Sequence, residues 1–192
     1  HAHYRRRYFS PGNIGYKALA VNISDIGAAG ARPEGFSMGL TLCGDEDEAW
    51  IAAFCEGMKE LVDRFDLAVS GGDLSRGPSQ GICVTAWGRL PEALPLGMRR
   101  GAAQKGDVVF VCGELGLARV GLHALEQEGD GGAEEAIRRW PYACQKHLHP
   151  CPLAEAGTRM AHFCVEHGLA DRLGLMDVSD GLARDLPRLL DS

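Results

Sequence analysis

Glycine occupies 26 of 192 positions, about 14% and roughly twice ordinary usage. No collagen-like period and no low-complexity run absorbs the excess. The glycines therefore serve turns and places where backbones approach closely. A length of 192 residues allows one full domain, or a small domain plus part of another. With 45% hydrophobic and 24% charged residues, the composition is that of a soluble globular chain able to bury a core. Residue 1 is His rather than Met, and Leu186 to Ser192 reads as the middle of an apolar segment. The chain is therefore expected to be incomplete at both ends.

The net charge of −6 argues against a nucleic-acid partner, which calls for a basic face. The single basic run, Arg5-Arg6-Arg7, reads as a solvated surface segment. Seven cysteines at irregular spacing, mostly in apolar stretches, read as free thiols of a reducing cytoplasm. No apolar stretch reaches membrane-spanning length, and no signal-peptide pattern opens the chain.

Residues 16–29 carry Tyr16, Leu19, Ala20, Ile23 and Ile26 at helical spacing, with Gly27 and Gly30 expected to stop the helix. Residues 36–43 read as a strand. Asp45 to Asp47 open a helix with the stripe Trp50, Phe54, Met58, Leu61 and Phe65. The run Leu67 to Val69 is expected to end at Gly71-Gly72-Asp73. Residues 81–88 alternate as a strand, and 90–106 read as a Pro- and Gly-rich loop. Val108 to Val111 reads as a buried strand, followed by Gly113-x-x-Gly116 and a helix through Leu125. Residues 129–132 mark a turn, 153–167 a helix, and Leu173 to Met176 a short strand. A last helical stripe holds Leu182, Leu186, Leu189 and Leu190, with Pro187 expected to kink or restart it. Strands and helices are mixed, so the expected class is α+β.

The chain lacks G-x-x-x-x-G-K-[ST], G-x-G-x-x-G and G-x-S-x-G. Aspartate instead recurs where an element meets a glycine: Asp25 in NISDIG, Asp73 in SGGDLSRG, and Asp177 and Asp180 in MDVSDGL. Such hard oxygen ligands suit Mg²⁺, which takes one or two carboxylates beside water and phosphate oxygens. An acidic chain without a lysine loop holds a polyphosphate only if cations neutralise both partners. The same aspartates also serve as helix caps and turn formers.

IGYKALAVNISDIGAAGARP, SGGDLSRG, MRRGAAQKGDVVFVCGELG and MDVSDGLARDL follow one another in the order and spacing of thiamine-monophosphate kinase. The resemblance runs from about His3 to Asp191. That family belongs to the superfamily of aminoimidazole ribonucleotide synthetase, selenophosphate synthetase and a hydrogenase maturation protein. The resemblance implies a mixed sheet with helices on one face, followed by the start of a second α/β domain. The expected division is residues 1–100, for ATP and Mg²⁺ binding and dimerisation, and residues 101–192. It also implies transfer of the γ-phosphoryl of ATP onto thiamine monophosphate, giving thiamine diphosphate, in a homodimer. By motif, Asp25, Asp73, Asp177 and Asp180 match metal ligands. Gly72, Asp73, Arg99 and Ser179 match nucleotide contacts, and His3 matches the substrate-contacting histidine of G-x-H-[FY].

The chain departs from the pattern at several points. The Gly-Asp-Asp segment ahead of the histidine and the downstream Gly-Gly-Glu-Asp-Tyr word are not in it. Leu74 stands where threonine is usual, and His1-Ala2 where Gly-x is usual. Cys144, His147, His149 and Cys151 are of zinc-ligand type, but their spacing is tighter than structural zinc patterns and matches a family turn. Gly113-x-x-Gly116 suits phosphate or close packing equally. Two alternatives stand beside the kinase: a sister ATP-dependent enzyme of the superfamily, and a non-catalytic dimerisation module.

Overall fold

The computed structural model describes residues 4–127, 133–169 and 172–190. Among these the chain forms α1 (Pro11–Ala28), β1 (Arg32–Leu42), α2 (Glu48–Phe65), β2 (Ala68–Arg76) and β3 (Gly81–Arg89). A 3-10 turn (Arg100–Ala102), α3 (Leu117–Gln127), α4 (Ala133–Arg139), α5 (Pro141–Leu148), α6 (Ala154–Glu166) and α7 (Leu182–Leu190) follow. The sheet has three strands in the order β2-β1-β3. The class is α+β, as expected. Helix α1 begins earlier than the apolar stripe predicts, because Ser10 caps it. Its Oγ accepts the Asn13 N–H at 3.1 Å, and Pro11 takes the first helical position, where no N–H is needed.

The chain divides into two compact units. The first comprises His1–Ala20, Phe36–Thr85 and Gly116–Cys151. Here α1 meets α2 through glycines. A Cβ on Gly57 would lie 1.9 Å from the Gly12 carbonyl oxygen, and one on Gly15 would lie 2.0 Å from that of Phe54. This close approach buries Phe54, Met58 and Leu61 of α2 together with Ile14 and Leu19 of α1. Asp47 caps α2 by accepting the Trp50 N–H at 2.7 Å. Helices α3 and α5 also meet through a glycine, since a Cβ on Gly121 would lie 2.0 Å from the Ala143 oxygen. Lys17 of α1 donates to the His147 carbonyl at 3.0 Å, and its ammonium lies 5.0 Å from the Phe9 ring centroid.

Strand β2 does not end at its glycines but runs through Gly71, Gly72 and Asp73 to Arg76. The backbone tolerates this because Gly72 has no side chain: a Cβ there would lie 1.9 Å from the Met38 oxygen on β1. Helices α4 and α5 carry weak apolar stripes and were not foreseen. The turn expected at 129–132 lies outside the described residues.

The second unit comprises Val21–Gly35, Ala86–Leu115 and Pro152–Ser192. Gly27 does not stop α1 but lies within it. A Cβ on Gly157 of α6 would sit 1.9 Å from the Gly27 oxygen, so this pair is a helix crossing. The turn after α1 falls at Gly30, with φ +76°. Thr158 of α6 donates to the Ala31 carbonyl at 3.1 Å. Leu94, Met98, Ala161 and Cys164 form a buried cluster, with Val165, Leu169, Leu173 and Leu175 against it.

Two expected strands are not strands. Val108 to Val111 takes no regular structure, and Phe110 is 87% exposed. A strand needs a neighbour to satisfy its N–H and C=O groups, and the described sheet does not include this segment. Leu173 to Met176 is likewise irregular. Its alternation arises because Leu173 and Leu175 pack against the buried cluster while Gly174 faces the 3-10 turn, where a Cβ would lie 2.8 Å from the Arg100 oxygen. Helix α7 continues through Pro187.

Candidate metal and phosphate site

The second unit brings two of the expected ligands together. Asp25 lies on α1, and Asp177 follows the Leu173–Met176 segment whose packing sets it beside the 3-10 turn. Asp25 acts on Asp177 as a neighbouring carboxyl group. Burial, then the charge of Asp25 and that of Asp185, push Asp177 up to about 6, while the Arg100 guanidinium pulls the other way. Desolvation and like charge both disfavour the ionised form. Arg100 was not singled out from sequence, yet it is the guanidinium that acts on Asp177. Its neighbour Arg99 is exposed and extended at the start of the 3-10 turn.

Asp180 is engaged differently. Its carboxylate accepts from Arg188 at 2.9 Å, and its N–H donates to Asp185 at 2.9 Å. Ser179 beside it is exposed. Asp185 is 1% exposed and also pairs with Arg188, again at 2.9 Å. The leucine stripe of α7, Leu182, Leu186, Leu189 and Leu190, carries no signal in the sequence that marks Asp185.

In the first unit, Gly72 and Asp73 lie on β2, all of whose residues are exposed. His3 lies outside the described residues. The tyrosine after it is well anchored: the Tyr4 hydroxyl donates to Gln80 at 2.7 Å, and Gln80 donates to Glu46 at 3.1 Å. Glu46 also accepts the Cys43 and Gly44 N–H groups, each at 3.0 Å, and pairs with Arg6.

The four residues of zinc-ligand type have separate partners. The Cys144 thiol faces the Ala136 carbonyl at 3.5 Å. The His147 ring packs on Phe9 at 5.5 Å. His149 stacks on Tyr16 and meets Glu60 at 3.1 Å. Cys151 accepts from Arg64 at 3.3 Å.

Among the described residues no three His, Cys, Asp or Glu side chains form a group able to hold a metal ion. The Asp25–Asp177 pair nevertheless fits Mg²⁺. Its donors are hard oxygens, two protein carboxylates are a usual complement for that ion, and a divalent cation would relieve the repulsion that pushes Asp177 upward. No helix among the described residues is long and apolar enough to cross a membrane.

Residues 1–90 match the AIR synthase related protein, N-terminal domain. The thiamine-monophosphate kinase of Bacillus subtilis is 34% identical over 191 residues, which is 99% of this chain and 55% of that protein. The thiamine monophosphate kinase of Aquifex aeolicus superposes with a TM-score of 0.80 at 31% identity, over 98% of this chain and 58% of that one. AaThiL complexed with AMPPCP and TMP superposes with a TM-score of 0.81 at 30% identity, over 100% of this chain and 57% of that one. The chain thus spans about half the length of the relatives it matches. In sequence and in fold it is similar to the thiamine-monophosphate kinases.

Proposed function

We propose that the protein carrying this chain phosphorylates thiamine monophosphate to thiamine diphosphate by direct transfer of the γ-phosphoryl of ATP, with Mg²⁺ as cofactor. The observation that carries the reading is the effect of the neighbouring Asp25 carboxyl on Asp177 in a chain similar to these kinases along nearly all its length. The AMPPCP and TMP held by AaThiL support an ATP analogue and the thiamine phosphate as ligands of this fold.

In this proposal Asp25, Asp73, Asp177 and Asp180 hold Mg²⁺. Gly72, Asp73, Arg99 and Ser179 meet ATP, and His3 meets the substrate. Bound Mg²⁺ would supply positive charge against donor and acceptor phosphate oxygens. The arginines offset the remaining repulsion, and fixed elements hold the two phosphates in line. A general base is not needed, because the acceptor phosphate is already ionised. Residues 1–100 would form the nucleotide and dimerisation domain, and 101–192 the beginning of a second. A cytoplasmic homodimer is part of the proposal. The exposed edge strand β2 supports it, since such edges are usually covered.

The test is ADP release by the whole protein with thiamine monophosphate, an aminoimidazole precursor or selenide as acceptor. Turnover with thiamine monophosphate alone, dependent on Mg²⁺ and lost in Asp177→Asn, is expected. Turnover only with a non-thiamine acceptor would overturn the assignment. Nucleotide binding unchanged by Mg²⁺, Asp73→Asn or Asp177→Asn would favour the non-catalytic module.

A further inference from the structure

The first turn of α7 buries a carboxylate that no proposed ligand set includes. Asp185 is 1% exposed. One oxygen reaches back to the Asp180 N–H at 2.9 Å, much as the acid of a capping box reaches back to its helix start. The other meets Arg188 at 2.9 Å. The same guanidinium meets Asp180 at 2.9 Å. Arg188 is therefore shared between a buried carboxylate and one at the candidate site.

Each part of this arrangement has a consequence for a cation. The bond to the Asp180 N–H fixes the backbone of the turn from Asp177 to Gly181. A guanidinium fully committed to Asp180 would neutralise the very carboxylate that a divalent ion needs. Asp185 draws that positive charge toward the interior and adds its own negative charge near Asp177. A bidentate-capable, permanently charged arginine is a strong competitor for carboxylate oxygens.

We propose that Asp185 is a positioning residue for the cation site: it pins the Asp177–Asp180 turn and holds Arg188 between two carboxylates, leaving Asp180 able to serve a divalent ion. The proposal rests on the metal site advanced above.

The experiment is Mn²⁺ titration of the whole protein, read by electron paramagnetic resonance and calorimetry, with near-ultraviolet circular dichroism as the control for folding. Asp185→Asn keeps the shape of the side chain and an acceptor for the Asp180 N–H but loses the charge. It should weaken Mn²⁺ binding about tenfold, the equivalent of about 1.4 kcal/mol. Arg188→Gln should tighten binding several-fold. The double variant should recover most of what Asp185→Asn loses, which a purely structural role for Asp185 does not predict. A dissociation constant within twofold of wild type in Asp185→Asn, or a double variant no better than the single, overturns the inference. If Asp185→Asn does not fold, Arg188→Gln decides alone: binding unchanged within twofold refutes the sharing. Asp177→Asn separates the two levels, for unaltered Mn²⁺ binding in that variant removes the metal site itself.

Discussion

Gly57→Ala puts the crossing of α1 and α2 to a direct test. The added Cβ would lie 1.9 Å from the Gly12 oxygen, 2.6 Å from its carbonyl carbon and 2.8 Å from its Cα. All three are backbone atoms, so no rotamer change relieves the clash. Reaching the 3.4 Å of ordinary contact asks the two helices to part by about 1.5 Å, and a gap of even 0.5–1 Å forfeits a quarter to a half of the dispersion well. Phe54, Met58 and Leu61 are buried on the same face, and burial of each such side chain stabilises the fold by about 1.5–3 kcal/mol. Losing roughly a third to a half of that at three positions costs about 3 kcal/mol. The better helix propensity of alanine returns about 1 kcal/mol, so the net loss is about 2 kcal/mol.

Urea unfolding reports the effect. Trp50 stacks on Phe54 with ring centroids 5.4 Å apart, so its fluorescence follows this interface. Gly39→Ala is the control: its Cβ would meet the Cys83 Cβ at 3.8 Å, an ordinary contact, and it should lie within about 0.5 kcal/mol of wild type. Equal midpoints for Gly57→Ala and Gly39→Ala would refute the close-crossing argument.

Other expectations follow from single contacts. Burial, then the Lys17 charge, lowers His147 to about 4 from 6.5. The folded state thus resists protonation there, and stability that is full above pH 6.5 should fall as pH drops toward 4. The loss is at most about 3 kcal/mol, and His147→Gln should flatten this limb of the urea-midpoint profile. Asp47→Ala removes the cap of α2 and should cost about 1 kcal/mol, measured by thermal unfolding; no change would mean that another group replaces the cap. In calorimetry, Asp73→Asn and Asp177→Asn should each abolish the Mg²⁺-dependent part of ATP binding by the whole protein, and retention of that part in either would exclude its carboxylate as a required ligand.

The helices with strong apolar stripes were legible, as were the alternating strand β3 and the α+β class. The glycine surplus was only half legible. It suggested turns and close approaches, but the close approaches could not be located. Gly12 and Gly57, Gly27 and Gly157, and Gly121 with Ala143 are contacts between helices far apart in sequence. Only packing shows which glycines face one another, and this is why Gly27 reads as a helix stop in the sequence and as a crossing in the fold. The strands expected at Val108–Val111 and Leu173–Met176 fail for a related reason. Local alternation predicts side-chain faces, whereas a ladder also requires a neighbour.

The site divides along the same line. Asp25 and Asp177 were visible because aspartate recurs near glycine in NISDIG and MDVSDGL, and in the structure the Asp25 carboxyl acts on Asp177. Asp185 was not visible, because nothing in Leu-Ala-Arg-Asp-Leu distinguishes a buried carboxylate from a solvated one at the same helical position. Its burial follows from two contacts reached backward and forward along one turn, to Asp180 and to Arg188. A buried carboxylate without such partners would be strongly destabilising. The aspartates foreseen by motif thus depend on a charged pair that motif reading did not single out. Substitutions at Asp185 and Arg188 should therefore alter cation affinity while leaving Asp25, Asp73, Asp177 and Asp180 in place.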